Sequence, residues 1–247
     1  MSARALHPAG LAALALTLGL AACDRPAPRR PHLAAPPPGV AEFGLSAVGA
    51  PLAPVAPPAI PAPAAAAPVT WDRANQVFLF KGQPLRAEKL WTFEGATDGF
   101  VATGGEVAPA DGLGMTYREV GADPILRSPR GLNVDGHVRT LVLVRVVRTL
   151  AGTGWDGTLY YATPGHKESA AFHAKPVFGG DPPLNTPTVL IFDMKHPAAG
   201  GADWTSSLID QIRIDLDATG GGEFIVRQVA IAQDPGGLIP EPAAAKP

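Results

Sequence analysis

Proline is distributed so unevenly along this chain that it decides which part can fold into a compact domain. Thirteen of the 28 prolines fall within residues 24–69, most of them among alanines. Each proline removes a backbone hydrogen-bond donor, clashes with a preceding helical turn and is disfavoured inside a sheet. We therefore predict a disordered, polyproline II-like linker over residues 23–69, with a maximum reach of roughly 140 Å at about 3.1 Å per residue. A docking strip for a proline-recognising partner is the alternative.

The first residues are typical of an export signal. Arg4 precedes an apolar run over residues 11–20 that is shorter than a membrane-spanning helix, and two alanines follow. Residues 1–22 are thus predicted to be a signal peptide. The tetrapeptide Leu-Ala-Ala-Cys that ends at Cys23 resembles the lipobox of bacterial lipoproteins. That resemblance implies lipidation of Cys23, a membrane partner and a location in the bacterial cell envelope, facing the periplasm or at the cell surface; an incidental thiol beside a conventional cleavage site is the alternative.

Residues 70–235 are the part that can bury a core, and their apolar residues recur at every second position. Residues 211–216 (QIRIDL) show this alternation, and Gly, Asp, Asn and Pro interrupt it every eight to fifteen residues or so. A period of two with frequent turn signals predicts a single all-β domain, an antiparallel sandwich or barrel. We expect Trp91 and Trp204 to be buried in it, and residues 236–247 to form a flexible tail.

Particular segments predict particular elements. Residues 138–150 are apolar on both faces for much of their length, which is typical of a central strand covered on both sides. Residues 170–172 (AAF) are interpreted as a further strand, and residues 204–208 as one turn of helix. Residues 152–157 match the spacing of a dinucleotide-binding loop, but the strand-like residues 159–162 follow instead of a helix, so we predict a hairpin loop.

Several of these segments, taken in order, resemble the bacterial galactose-binding-like jelly rolls, a group that includes many carbohydrate-binding modules. Residues 91–94 (WTFE) and 98–100 (DGF) are similar to the W-x-F-E…D-G-W opening of these modules. Residues 159–163 (LYYAT) occupy the place of a central strand, and residues 204–215 that of the W…I-x-x-L-R-I-D ending. The resemblance implies a jelly-roll β-sandwich over nearly all of residues 88–234.

Exposed aromatic side chains are the first candidates for a saccharide site, because a sugar ring stacks on them while its hydroxyls need polar partners. Trp155 lies with Asp156 in a glycine-rich segment, and Phe178 lies in the long loop predicted over residues 175–186. These three residues form the predicted ligand site. For Trp155, a loop anchor folded back on the sandwich is an equal alternative. Arg145 lies in an apolar strand, so we expect it to pair with a carboxylate.

The resemblance also implies a structural calcium ion, because related sandwiches often carry one near their first and last strands. Glu94, Asp98 and Asp234 are the candidate ligands, and ordinary turn residues are the alternative. No other cofactor is expected. The histidines of the domain are not spaced as metal ligands. Glycoside cleavage needs two carboxylates about 5 to 10 Å apart. The acids considered for that role are Asp193, Asp203, Asp210 and Asp215.

Charge excludes one class of partner. The chain has 20 basic and 22 acidic residues, and no basic run follows residues 29–30. Nucleic-acid binding needs a positive patch, so no nucleic-acid partner is expected. Three functional hypotheses remain: binding of envelope or extracellular polysaccharide without catalysis, a scaffold or assembly factor that grips an envelope protein, and a glycan-active enzyme. No catalytic constellation supports the last of these.

Overall fold

The computed structural model describes residues 68–110, 112 and 114–239. The predicted signal peptide, Cys23, most of the predicted linker and residues 240–247 lie outside the described residues. No helix within the described part is both long enough and apolar enough to cross a membrane.

Seventeen strands and one turn of 3-10 helix make up the regular structure of these residues. The strands are β1 (Val69–Asp72), β2 (Val77–Phe80), β3 (Gln83–Pro84), β4 (Ala87–Trp91), β5 (Val101–Thr103), β6 (Gly105–Ala110), β7 (Gly114–Glu119), β8 (Ile125–Arg127), β9 (Val134–Asp135), β10 (Leu141–Leu150), β11 (Thr153–Ala162), β12 (His173–Ala174), β13 (Pro176–Phe178), β14 (Pro187–Asp193), β15 (Leu208–Ile209), β16 (Gln211–Thr219) and β17 (Glu223–Ala232). The 3-10 turn spans Trp204–Ser206, within the segment predicted to be helical.

Two antiparallel sheets form the body of the domain. The seven-stranded sheet has the order β13-β14-β10-β17-β7-β6, and β4 pairs with β17 beside β7. The five-stranded sheet has the order β12-β11-β16-β8-β5. Side chains from both sheets interdigitate in one main core, which buries Trp204, Tyr117, Tyr161 and Phe224 completely. The predicted all-β antiparallel jelly-roll sandwich is thereby confirmed.

The alternation of β10 explains why it is the central strand. Val142, Val144 and Val146 point into the main core between the two sheets, whereas Leu141 and Leu143 point to the opposite face. Strands β14 and β17 pair with β10 on its two sides. A strand covered on both faces needs apolar residues at consecutive positions, so the prediction from residues 138–150 is confirmed.

A third layer covers the outer face of the seven-stranded sheet. Strands β1, β2 and β3 form a small antiparallel sheet of their own. Its side chains Val69, Phe78 and Phe80 pack with residues of β10, β14 and β17 in a second core cluster. Leu238, within the segment predicted as a flexible tail, is buried in the same cluster. Among the described residues, the outer face of the five-stranded sheet has no such layer of strands.

Two local predictions were wrong. Residues 170–172 form a turn, and the strand there is the two-residue β12. A run of three apolar residues is too short for periodicity to distinguish a strand from a turn that packs on the core. The predicted loop over residues 152–157 is mostly strand, because β11 begins at Thr153, and a register shift between Trp155 and Thr158 accommodates Gly157. The glycines of this segment mark a bulge rather than a loop.

Candidate functional site

The outer face of the five-stranded sheet carries a row of side chains that its strands place side by side. Antiparallel pairing sets Tyr160 of β11 opposite His173 of β12 and, on its other side, opposite Arg213 of β16. Arg213 is opposite Arg127 of β8, which is opposite Val101 of β5. Because chain neighbours of these residues lie in the main core and successive side chains point to opposite faces, the row faces away from the core.

Tyr160 is the centre of this row. The guanidinium carbon of Arg213 lies 4.6 Å from the centroid of the Tyr160 ring, and the ring centroid of His173 lies 5.6 Å from it. Asp215 accepts two hydrogen bonds from Arg213, from Nε at 2.8 Å and from Nη2 at 2.5 Å. Burial, with the nearby charge of Asp215, raises the pKa of the Tyr160 phenol. The phenol is therefore neutral, and its ring is half-buried between two fixed neighbours.

Further ion pairs border the row. Arg127 donates from Nε to Glu168 at 2.6 Å. Lys175 donates from Nζ to the backbone oxygen of Asp156 at 2.8 Å and to its carboxylate at 2.5 Å, and it also donates to the hydroxyl of Thr158. Asp123 adds a further carboxylate 3.6 Å from Nη2 of Arg213, so the face holds three lysine or arginine side chains and four carboxylates.

This arrangement suits a ligand that is rich in hydroxyl groups and carries no net charge. An aromatic ring offers an apolar surface to a sugar ring, and the charged side chains around it offer both donors and acceptors for hydroxyl groups. The excess of one carboxylate gives no attraction for an anionic ligand over a neutral one. A sheet supports the row, so the side chains need little ordering on binding.

The structure does not bring the three predicted ligand-binding residues together. Trp155 lies in β11, half-buried and packed against the main core rather than exposed on a loop. Phe178 lies in β13 and packs against the second core cluster, which belongs to the other sheet. Asp156 alone borders the row, through its contacts with Lys175. Trp155 and Phe178 looked exposed because glycine and proline surround them in the sequence, but strand pairing turns both toward apolar neighbours.

Trp155 instead helps to enclose a buried charge. The guanidinium of Arg148 lies 5.9 Å from the ring centroid of Trp155 and 5.6 Å from that of Phe224. Arg148 donates from Nη2 to the buried carboxylate of Asp217 at 2.6 Å and from Nη1 to Asp181 at 2.8 Å. The loop-anchor alternative describes the position of Trp155 better than the ligand-contact hypothesis does.

A second buried acid accompanies Asp217 and was missed in the sequence. Glu119 at the end of β7 is 2% exposed, and its Oε1 accepts a hydrogen bond from the backbone N–H of Asp217 at 3.3 Å. Burial, with the neighbouring charge of Asp217, raises the pKa of Glu119 to about 8. The alternation of apolar residues in β16 suggests that the side chain of Asp217 points to solvent. Nothing in the sequence indicates that Arg148 and Glu119 lie beside Asp217 in the folded domain.

The predicted calcium ligands do not form a site among the described residues. No cluster of three or more His, Cys, Asp or Glu side chains suited to a metal occurs there. The carboxylate of Asp98 instead accepts a hydrogen bond from the backbone N–H of Phe93 at 3.0 Å. Glu94 and Asp234 line separate cavities. The ordinary-turn interpretation therefore fits the geometry of Asp98, and the three carboxylates are not brought together.

The acids considered for glycoside cleavage are each engaged by a basic side chain. The pairs are Asp193 with His196, Asp203 with His166, Asp210 with Arg130, and Asp215 with Arg213.

Arg145, by contrast, has an amide as its partner. It donates from Nη1 to Oε1 of Gln228 at 2.9 Å, the residue opposite it in the sheet. The expectation of a carboxylate partner for Arg145 was therefore wrong within the described residues, because its cross-strand neighbour is a glutamine.

Comparison with known proteins gives structural similarities only. No family model matches the chain, and no curated protein matches its sequence. Among solved structures, the chain is similar to CBM29_1, a family 29 carbohydrate-binding module from Piromyces equi, with 13% identity over 59% of this chain and 91% of that one and a TM-score of 0.40.

Two further similar structures are also carbohydrate-binding modules. The first is CBM86, described as a low-affinity xylan-binding module from Roseburia intestinalis, with 14% identity over 59% of this chain and 95% of that one and a TM-score of 0.37. The second is CsCBM6-3 from Clostridium stercorarium, solved with cellobiose, with 12% identity over 62% of this chain and 99% of that one and a TM-score of 0.34. At such identities the choice of ligand has to be argued from the residues of this chain.

Proposed function

We propose that this protein binds carbohydrate without catalysis, on the outer face of the five-stranded sheet, as a lipid-anchored protein of the bacterial cell envelope. The observation that carries the binding proposal is Tyr160, a half-buried ring on the outer sheet face between Arg213 and His173. An aromatic ring flanked by fixed donors and acceptors is what a saccharide requires of a protein surface. The anchor rests on the lipobox-like sequence that ends at Cys23.

The charge pattern of the face narrows the ligand to neutral saccharides. Each arginine and lysine side chain on this face already has a carboxylate partner, so an acidic sugar would have to displace an existing ion pair. A hydroxyl group needs no such displacement, because a carboxylate has lone pairs left to accept from it and a guanidinium has N–H groups left to donate. Neutral glucose-, xylose- or galactose-based polysaccharides are the expected class.

A glycan array with the purified full-length chain tests this proposal. We expect binding to at least one neutral polysaccharide, and binding about tenfold or more weaker for Tyr160→Ala, because the stacking surface is lost. Phe178→Ala is the matched control, since Phe178 packs in the second core cluster away from the row. Binding that survives Tyr160→Ala, or the absence of any bound saccharide at millimolar concentration, would contradict the proposal and favour the scaffold hypothesis.

A further inference from the structure

A cavity lies at the outer face of the seven-stranded sheet, beside the small β1-β2-β3 sheet. It is on the opposite side of the sandwich from the row around Tyr160. Its volume is about 210 Å³. Arg145 of β10 and Arg227 of β17 line it, and Trp71 of β1 contributes to its wall. Trp71 is itself held by Phe78, whose ring centroid lies 4.9 Å away in an edge-to-face contact. The third layer of the fold thus adds a wall to the sheet surface and makes a cavity that is partly open to solvent.

The charges that line this cavity do not balance. Arg73, Arg145 and Arg227 contribute three positive charges, and Glu94 contributes one negative charge. Within residues 68–110, 112 and 114–239, none of these four side chains takes part in an ion pair. This differs from the row around Tyr160 and its border, where each arginine and lysine side chain has a carboxylate partner.

The donors in the cavity are also left partly unused. Nε of Arg227 is buried and has no hydrogen-bond partner among the described residues. Arg145 uses Nη1 for Gln228 and has further N–H groups available. Burial and the positive charge of Arg227 lower the pKa of Arg145, as expected for two guanidinium groups that line the same cavity. A buried cation with unmet donors destabilises a protein unless an anion compensates it.

We propose that this cavity binds an oxyanionic group, either the carboxylate of an acidic sugar or a sulfate or phosphate. Guanidinium groups bind such oxygens through parallel N–H donors, and two of them converge here. The ring of Trp71 in the cavity wall provides a surface against which a sugar ring that carries the carboxylate can lie. This site goes beyond the proposed function, because it is on the other sheet and selects for charge, whereas the Tyr160 row suits neutral saccharides.

Titration calorimetry on the purified full-length chain at low ionic strength tests the proposal. The probes are sodium glucuronate, sodium sulfate and inorganic phosphate, with glucose as the uncharged control. We expect binding of at least one anion, no binding of glucose at this site, and affinity weaker by about tenfold or more for both Arg145→Gln and Arg227→Gln, because charge-assisted hydrogen bonds are lost. Tighter binding of glucuronate than of sulfate or phosphate assigns the site to an acidic sugar; the reverse order assigns it to an inorganic-type anion.

Two controls keep the test specific. Arg118→Gln removes an exposed arginine from the same sheet that already pairs with Glu223, so it should leave anion affinity unchanged. Tyr160→Ala should also leave it unchanged, so failure of the neutral-saccharide proposal is distinguishable from failure of this one. If Arg118→Gln lowers the affinity as much as Arg145→Gln does, the binding is non-specific and the proposal is wrong.

The chain has one acid next to the cavity in sequence that lies outside the described residues, Asp111. If Asp111→Asn binds anions and the natural chain binds none, the carboxylate of Asp111 occupies the cavity and the proposal is overturned. If neither variant binds any probe, it is overturned as well. Thermal melts of each variant without ligand identify any that fails to fold, and Arg145→Lys, which keeps the charge but loses the fork of donors, then replaces Arg145→Gln.

Discussion

Glu119 and Asp217 are two carboxylates that share a buried environment with a single close cation, Arg148. Arg148 donates directly to Asp217, whereas the carboxyl of Glu119 accepts from the backbone N–H of Asp217 and from no other donor in the described part of the chain. Two ionised carboxylates at this depth would repel each other, so one of them holds a proton, and the raised pKa assigns that proton to Glu119. A protonated Glu119 has an O–H to donate, and a side-chain hydrogen bond with the neighbouring carboxylate of Asp217 also raises its pKa.

This cluster makes the stability of the domain dependent on pH. The pKa of Glu119 is about 8 in the folded state, above the ordinary value of 4.5. Its contribution to stability is thus fully present below about pH 4.5 and is lost as the pH rises toward 8, because the unfolded chain releases the proton more readily. We expect the free energy of unfolding to fall by an amount on the order of a few kcal/mol from pH 5 to pH 8 through this group.

Thermal denaturation of Glu119→Gln measures that contribution. Glutamine cannot ionise, so the difference in Tm between the natural chain and Glu119→Gln should change in favour of the variant as the pH increases from 5 to 8. Glu223→Gln is a suitable control, because Glu223 is a partly exposed acid paired with Arg118 at the surface. Equal pH slopes for the natural chain and Glu119→Gln would show that Glu119 ionises normally.

At the scale of elements, the small β1-β2-β3 sheet is the addition that distinguishes this sandwich from a plain two-layer one. It buries Phe78 to 2% exposure against strands of the seven-stranded sheet. It also places Trp71 beside Arg145 and Arg227. One element thus covers apolar surface on the sheet and adds a wall to the charged cavity next to it.

Phe78→Ala should therefore destabilise the whole domain and not only the small sheet. Removal of a buried phenylalanine costs about 3 to 5 kcal/mol, because transfer energy is lost and a cavity remains. We expect a single, shifted unfolding transition in urea, monitored by tryptophan fluorescence. Val120→Ala is the control at an exposed site, 64% exposed, and should change stability by less than about 0.5 kcal/mol. Two separate transitions in Phe78→Ala would show that the small sheet unfolds independently.

For the whole molecule, the proposal is a sheet-built domain displayed away from a membrane by a proline-rich segment. One acyl chain anchors a protein only marginally, at about 0.8 kcal/mol per buried methylene group, whereas several hold it firmly. Lipidation of Cys23 would therefore retain the protein at a membrane without a spanning helix. The linker and Cys23 lie outside the described residues, so this part of the proposal rests on sequence.

Metabolic labelling with a radioactive fatty acid tests the anchor. In a bacterial host the natural chain should incorporate label and fractionate with membranes, and Cys23→Ala should do neither, because it lacks the thiol that would be acylated. A Cys23→Ala variant that remains unlabelled but still fractionates with membranes would separate lipidation from membrane association. Absence of label in the natural chain would remove the lipoprotein hypothesis.

The strands of this domain were largely predictable because side chains in a sheet alternate with a period of two. Residues 211–216 and 138–150 were for that reason correctly predicted to form strands, the second of them covered on both faces. The prediction was wrong at residues 170–172 and for the loop at Trp155. In both places a few residues carry little periodicity, and pairing with distant strands decides their conformation.

The candidate site was much less predictable than the fold. Tyr160, Arg213 and Arg127 come from three strands that are far apart in the chain, and only antiparallel registers bring them into one row. The aromatic residues that stood out in sequence, Trp155 and Phe178, are packed against apolar neighbours. Tyr160 lies within a segment that the family resemblance assigns to a central strand. Nothing in the sequence indicates that the side chain of Tyr160 faces outward.

By itself, the sequence determined that a compact all-β domain follows a proline-rich segment, because proline excludes regular structure and alternation requires strands. Only the tertiary structure decided which charges are neutralised and which are left over, because electrostatic partners are set by distance in space. Carboxylates contact arginines around Tyr160, while Arg145 and Arg227 line one cavity together with Trp71. That difference depends on which side chains each strand turns outward. It also depends on the small β1-β2-β3 sheet, which covers the outer face of the seven-stranded sheet.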